Sequence, residues 1–118
     1  FMMQEEIING FSKAIWSGVT TLELAKAVSW AIENNIVGLY HITNNQSINK
    51  YDLLNLIKKY MNKNIEINKI DGKELDKSFI DTRKEINYTI PSYEEMIRDI
   101  ADLIRSNQIL YAQYLEEK

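Results

Sequence analysis

The sequence contains no cysteine, which excludes disulfides and thiolate metal sites. It contains one histidine, His41, and a lone imidazole cannot form a metal site without nearby carboxylates. Its longest apolar run is far shorter than the roughly 20 residues that a membrane span needs. No signal-peptide pattern opens the chain, so we expect a cytoplasmic protein that does not interact with membranes.

Glycine is scarce, and the four glycines stand apart from one another, as Gly10, Gly18, Gly38 and Gly72. Isolated glycines cannot form a dinucleotide-binding fingerprint or a Walker loop. We therefore expect that this chain binds no cofactor by itself. The net charge of −3 also argues against a nucleic-acid partner, which would need clustered lysine and arginine.

The 118 residues suffice for at most one domain, and 45% apolar with 26% charged residues is ordinary for a globular protein. The chain begins with Phe1 rather than methionine, so we expect a piece of something longer. Helix-like and strand-like patterns alternate along the chain, which predicts an α/β fold.

Three helices have clear start signals. Thr20 or Thr21 can cap a helix over about residues 22–33, and Asn49 can cap a second helix. Ser92, with Glu95 three residues later, forms a capping box that opens a long third helix. The first helix is apolar almost all round, which predicts packing on more than one side. Its expected buried stripe consists of Leu24, Val28, Ala31 and Ile32.

Three strands are predicted, over residues 11–16, 39–43 and 65–70. The second is apolar on both faces, which predicts a buried, parallel strand with neighbours that this chain does not supply. Residues 1–8 are compatible with the tail of a helix, and Asn9-Gly10 is a turn signal. Residues 73–81 are expected to be irregular, and Asp81 is a possible cap of a short helix that runs through Ile86.

Several residues have both a functional and a structural explanation. Tyr114 and Lys118 have the spacing of the acid pair of short-chain dehydrogenases, but they lack a serine partner, so we interpret them as a charged tail. His41 lies on a predicted buried strand, either as a structural residue or as a site contact. The acidic residues of one loop have no calcium-loop spacing and predict a solvated loop rather than a metal site: Asp71, Glu74, Asp76 and Asp81.

Basic and aromatic side chains supply the remaining candidates. Those that could contact phosphate oxygens, or could simply be exposed charges, are Lys77, Arg83 and Lys84, with Ser78. Trp16, flanked by Lys13 and Ser17, could stack on a ring or close the core.

Five segments appear in one order and at fitting spacings: 9–25, 38–44, 50–54, 78–84 and 91–97. Together they resemble the C-terminal part of sugar-nucleotide reductases of the dTDP-4-dehydrorhamnose reductase type, which are extended short-chain dehydrogenases. The resemblance covers the chain from Gly10 to about Leu103. It implies an incomplete Rossmann-type fold plus a small substrate-binding α/β portion.

The resemblance implies that residues 1–118 form a single C-terminal substrate-binding region, with a tail helix beyond about residue 106 that extends past the fold. In the family, NADPH or NADH and the catalytic Ser, Tyr and Lys belong to the N-terminal half. We therefore expect neither catalytic residues nor metal ligands here, and we expect that half of the same protein as a partner.

Two departures from the family pattern bear on substrate binding. Trp16 stands where related epimerases carry arginine, and residues 74–78 differ from the Arg-Pro-x-Asn-Ser of rhamnose-type reductases. Lys77 or Arg83 would then have to contact the nucleotide phosphates.

The leading hypothesis is the substrate-binding portion of an NAD(P)-dependent 4-keto sugar-nucleotide reductase, inactive as isolated. Lys77, Ser78 and Arg83 would bind the diphosphate, and Lys13 and Trp16 would line the sugar or base pocket. The alternative is a non-catalytic interaction or regulatory module that kept the fold and lost the chemistry. An uncovered strand edge and apolar helix face also predict self-association of the isolated chain.

Overall fold

The computed structural model describes residues 6–78, 80 and 88–115 of the chain. These residues form nine elements in this order: β1 (Ile7–Phe11), β2 (Ala14–Trp16), α1 (Thr21–Glu33), β3 (Ile48–Asn49), α2 (Lys50–Met61), β4 (Glu66–Ile70), β5 (Leu75–Lys77), α3 (Tyr93–Ser106) and α4 (Ala112–Leu115). None of the helices in these ranges is long and apolar enough to cross a membrane.

The strands pair into two small sheets. β1 pairs in parallel with β4, with Ile7 opposite Glu66 and Phe11 opposite Ile70. In the other sheet β2 is central, antiparallel to β3 and parallel to β5. A parallel pair needs a crossover connection, and the chain between β1 and β4 includes α1 and α2. The α/β fold class is therefore confirmed.

The three predicted helix caps are confirmed. In each, a side-chain oxygen accepts a hydrogen bond from the backbone N–H three residues later: Thr20 from Glu23 at 3.2 Å, Asn49 from Asp52 at 2.7 Å, and Ser92 from Glu95 at 3.2 Å. Such caps contribute about 1 kcal/mol each. The first helix also ends as predicted, since Asn35, just past its end, adopts a left-handed φ of 53°.

The beginning of the chain differs from its prediction. The strand expected over residues 11–16 is interrupted by a turn at Ser12 and Lys13, and Ile7 and Ile8 belong to β1 rather than to a helix tail. The turn predicted at Asn9-Gly10 is wrong, because both residues lie inside β1. A methyl group added at Gly10 would lie 2.9 Å from the Cα of Tyr51, so this glycine permits the close approach of β1 to α2.

Two short strands lie where no strand was predicted. β5 falls within residues 73–81, which were expected to be irregular, and β3 directly precedes α2. All three residues of β5 are exposed, so the strand has no buried face that a hydrophobic pattern could reveal. The short helix predicted from Asp81 to Ile86 lies outside the described residues.

The prediction of a buried strand over residues 39–43 is wrong. Residues 38–44, all within the described part of the chain, form no strand, and Leu39 is 77% exposed. His41 is exposed as well, so its placement on a buried strand is also wrong. A segment that is apolar on both faces needs sheet neighbours on both sides, and neither small sheet includes it.

The predicted buried stripe of α1 points the wrong way. The buried residues of α1 are Glu23 and Ala27, whereas Leu24, Val28 and Ile32 are 43%, 45% and 72% exposed. The narrow face around Ala27 packs toward α3 and leaves the wider apolar face outside. We call Leu24, Val28 and Ile32 the outer face of α1.

The core lies where α1, α3 and the β3–β2–β5 sheet meet. Its buried members are Ala27, Ile90, Tyr93 and Met96, with Trp16 packed against them. The molecule measures 46 × 39 × 17 Å, and its radius of gyration of 16.0 Å exceeds the roughly 13–14 Å of a compact chain of this length. A molecule this flat buries few side chains completely.

Candidate functional site

The pairing of β2 with β5 brings four of the five predicted site residues into one sheet or directly beside it: Lys13, Trp16, Lys77 and Ser78. Trp16 and Lys77 are register partners, so their side chains leave the sheet on the same face. Ser78 follows Lys77 directly, and the carbonyl of Lys13 accepts a hydrogen bond from the backbone N–H of Leu75 at 3.1 Å. Lys13 and Lys77 therefore mark opposite ends of this pairing, roughly 10 Å apart along the strands. Both lysines are exposed.

Trp16 lies half-buried between this sheet and the core. Its ring centroid is 6.2 Å from that of Tyr93, with the two planes tilted by 42°. The ring also covers the backbone of the buried Gly18, where an added methyl group would overlap it. Trp16 thus packs against the core, which was one of its two predicted explanations, and a part of it stays accessible.

Ser78 is held by its neighbour Asp76. The Oδ1 atom of Asp76 accepts hydrogen bonds from the Ser78 hydroxyl at 2.5 Å and from the Ser78 backbone N–H at 2.9 Å. These two bonds, the hydroxyl first, lower the pKa of the Asp76 carboxyl. Both donors of Ser78 are therefore directed at a carboxylate, so a phosphate could receive them only by displacing Asp76.

Four other sequence candidates lie outside the described residues: Asp81, Arg83, Lys84 and Lys118. Tyr114 stacks on Tyr111 with a centroid separation of 6.3 Å. Within the described ranges, no group of three His, Cys, Asp or Glu side chains is arranged to hold a metal ion.

One polar contact was missed by the sequence reasoning. Glu23 is 4% exposed, and one of its carboxylate oxygens accepts a hydrogen bond of 2.8 Å from the Tyr88 hydroxyl. Burial, and then this bond, raises the pKa of Tyr88 to about 12. The Tyr88 ring also lies 5.2 Å from that of Trp30. The contact joins residues 65 positions apart, and no local pattern could have signalled it.

Two solved structures share this arrangement of elements. The dTDP-4-dehydrorhamnose reductase of Bacillus anthracis str. Ames, in complex with NADP, matches 83% of this chain with a TM-score of 0.68 and 18% identity. The dTDP-4-dehydrorhamnose reductase of Yersinia enterocolitica matches 81% of the chain with a TM-score of 0.63 and 15% identity. This chain has part of the dTDP-4-dehydrorhamnose reductase fold.

The likeness confirms the predicted resemblance at the level of the fold, a partial Rossmann-like reductase fold. This chain spans 38% of the Bacillus protein and 37% of the Yersinia protein. Neither a family model nor a curated protein sequence matches the chain. At this low identity the likeness concerns the backbone, so the roles of individual side chains depend on their own geometry.

Proposed function

We propose that residues 1–118 are the C-terminal, substrate-binding region of an NAD(P)-dependent reductase that acts on a 4-keto nucleotide sugar. The observation that carries this proposal is the fold match over more than four-fifths of the chain to two dTDP-4-dehydrorhamnose reductases. The Bacillus protein is in complex with NADP. In the proposal, NADPH or NADH belongs to an N-terminal half that precedes this chain, and the isolated region is inactive.

In this proposal the nucleotide sugar binds along the β2–β5 pair. Lys77, Ser78 and Arg83 contact the diphosphate, while Lys13 and Trp16 line the sugar or base pocket. The supporting geometry is the shared face of Trp16 and Lys77, together with the exposed positive charge at each end of the pairing. Diphosphate binding at Ser78 requires that the carboxylate of Asp76 turn away.

The outer face of α1 supports the proposed N-terminal partner. Its three apolar side chains are 43–72% exposed, and Val37 and Leu39, which follow the helix, are 79% and 77% exposed. Contiguous exposed apolar surface is typical of an interaction site. We therefore assign this surface to contact with the cofactor-binding half of the same protein.

Calorimetric titration of the full-length protein with dTDP-sugars and UDP-sugars tests the site. A Lys77→Ala/Arg83→Ala double variant should bind at least about tenfold more weakly, since hydrogen bonds to charged groups contribute about 1.5–3 kcal/mol. A Lys26→Ala/Arg98→Ala variant is the matched control, because it removes the same charges from exposed helical positions. Equal affinity of both double variants would contradict the phosphate assignment.

The alternative, a non-catalytic interaction or regulatory module, draws support from the Ser78–Asp76 contact and from the lack of the family arginine. A module of this kind would retain the fold without binding nucleotide sugars. Assays of NADPH and NADH oxidation by the full-length protein with 4-keto sugar nucleotides separate the two. Turnover would establish the reductase. Absence of both turnover and binding would favour the module.

A further inference from the structure

A cavity lies between α2 and α3 beside the Trp16 ring. Within the described residues it has a volume of about 150 Å³ and is about half open to solvent. Its walls are mainly hydrocarbon, contributed by both helices and by two aromatic rings: Leu53, Ile57, Met96, Ile97, Trp16 and Tyr93. A void of this size between packed helices leaves many side-chain atoms without contacts on one side.

Both hydroxyl groups that line this cavity already take part in hydrogen bonds. Two lining side chains carry a hydroxyl group, Thr20 and Tyr93. The Thr20 hydroxyl caps α1, and the Tyr93 hydroxyl donates to the carbonyl of Gln46 at 2.5 Å. No buried side-chain polar atom in the described part of the chain lacks a hydrogen-bond partner. An ordered water needs two to four polar partners, so the cavity favours hydrocarbon over water.

The volume and the lining together indicate the size and chemistry of an occupant. An engineered protein cavity of about 150 Å³, lined by Leu, Ile and Phe, stays dry and binds benzene. Here the tilted rings of Trp16 and Tyr93 also offer the edge-to-face contacts that aromatic rings prefer. We propose that this cavity is a binding site for an apolar, six-membered aromatic ring.

The same lining disfavours polar rings. A nucleobase or a sugar placed here would lose hydrogen bonds to water and find few polar partners in exchange, because the lining is almost entirely hydrocarbon. The cavity is therefore distinct from the nucleotide-sugar site, although Trp16 borders both. This proposal does not rest on the proposed function, because neither Lys13 nor Lys77 takes part in it.

Trp16 provides the signal for a binding experiment. A ring in the cavity contacts Trp16 and changes its fluorescence, whereas Trp30 packs against Tyr88 and does not line the cavity. The chain has two tryptophans, so a Trp30→Phe background isolates Trp16. Saturation-transfer NMR of the probe provides a second readout that is independent of fluorescence.

The probes are benzene and phenol, titrated into the protein. Benzene should bind saturably, and phenol should bind no more tightly than benzene, because the lining offers its hydroxyl almost no polar partner. Leu53→Phe, which fills the cavity from α2, should abolish benzene binding. Leu54→Phe is the matched control, because Leu54 neighbours Leu53 on α2 without lining the cavity, and it should preserve binding.

Ile97→Phe fills the same cavity from α3, with Ile100→Phe as its control, in case the α2 variant fails to fold. Failure of benzene to saturate the folded wild-type protein would overturn the proposal. So would phenol binding more tightly than benzene, or undiminished benzene binding in folded Leu53→Phe and Ile97→Phe proteins. Titration with a dTDP-sugar in the same samples reports on the proposed function separately.

Discussion

The outer face of α1 predicts self-association of the isolated chain through an apolar patch, because the proposed N-terminal half is then absent. Fully burying a Val, Leu or Ile side chain contributes about 1.5–3 kcal/mol. The exposed fractions of the outer face and of Val37 and Leu39 amount to about three complete side chains, so covering them contributes roughly 5–9 kcal/mol per copy.

Two copies that cover each other gain twice that amount and lose about 4–15 kcal/mol of translational, rotational and side-chain freedom. The midpoints of these two ranges, about 14 kcal/mol gained and about 9.5 kcal/mol lost, leave roughly 4–5 kcal/mol, which corresponds to a dissociation constant just below about a millimolar. Sedimentation velocity over a broad concentration range measures this association directly. A protein that remains monomeric at the highest concentration refutes the reasoning.

A triple variant that makes the outer face polar, Leu24→Gln/Val28→Lys/Ile32→Gln, tests whether this face forms the contact. We expect a monomer with nearly unchanged stability, because substitutions of exposed residues usually change the free energy of unfolding by less than about 0.5 kcal/mol each. If these side chains instead belonged to the core, each would lower that free energy by about 2–5 kcal/mol. Denaturant unfolding distinguishes the two cases.

The matched control changes the exposed polar residues of the same helix, as Lys26→Glu/Ser29→Gln/Glu33→Lys. The control should associate like the wild-type protein. A triple variant that dimerises as strongly as this control would place the contact on another surface.

Three further predictions concern the site and its support. Gly18→Ala should displace the Trp16 ring, shift its fluorescence and lower the free energy of unfolding by about 1–3 kcal/mol; an unaltered spectrum and stability would contradict the packing described. The pKa of Tyr88 is raised to about 12 from 10.0, so its contribution to stability is complete below pH 10 and is lost as the pH rises toward 12. Unfolding measured between pH 8 and pH 12 should show that loss, and Tyr88→Phe should lack it. Asp76→Asn should strengthen nucleotide-sugar binding by the full-length protein, since it removes a negative charge beside Ser78; weaker binding in a titration would argue that Asp76 assists the site.

The sequence predicted the helix caps correctly, because a cap depends only on neighbouring residues. The caps at Thr20, Asn49 and Ser92 each involve a backbone group three residues away, so their chemistry is complete within a short segment. The left-handed conformation at Asn35 is equally local.

Features that depend on distant residues could not be predicted. α1 is apolar on several sides, and its inward face is selected by α3 and by the contact of Glu23 with Tyr88. Residues 39–43 have a strand-like pattern, but a strand also requires neighbours that pair with it.

The candidate site also depends on residues that are distant in the sequence. Side-chain type nominated Lys13, Trp16 and Lys77, but only the β2–β5 pairing, between segments about 60 positions apart, brings them to one sheet. The sequence nominates Ser78 as a phosphate ligand and Asp76 as part of an acidic loop. The structure instead joins Ser78 to Asp76, two residues away, by two hydrogen bonds.

The 17 Å thickness of the molecule has a consequence for its amide hydrogens. Few side chains in the described ranges are fully buried, so we expect much of the backbone there to exchange with solvent through small local openings. The amides of α3 should be better protected from exchange, because this helix has four buried residues: Tyr93, Met96, Ile97 and Ala101. Slow hydrogen exchange should therefore be concentrated in α3, the last element to open when the protein unfolds.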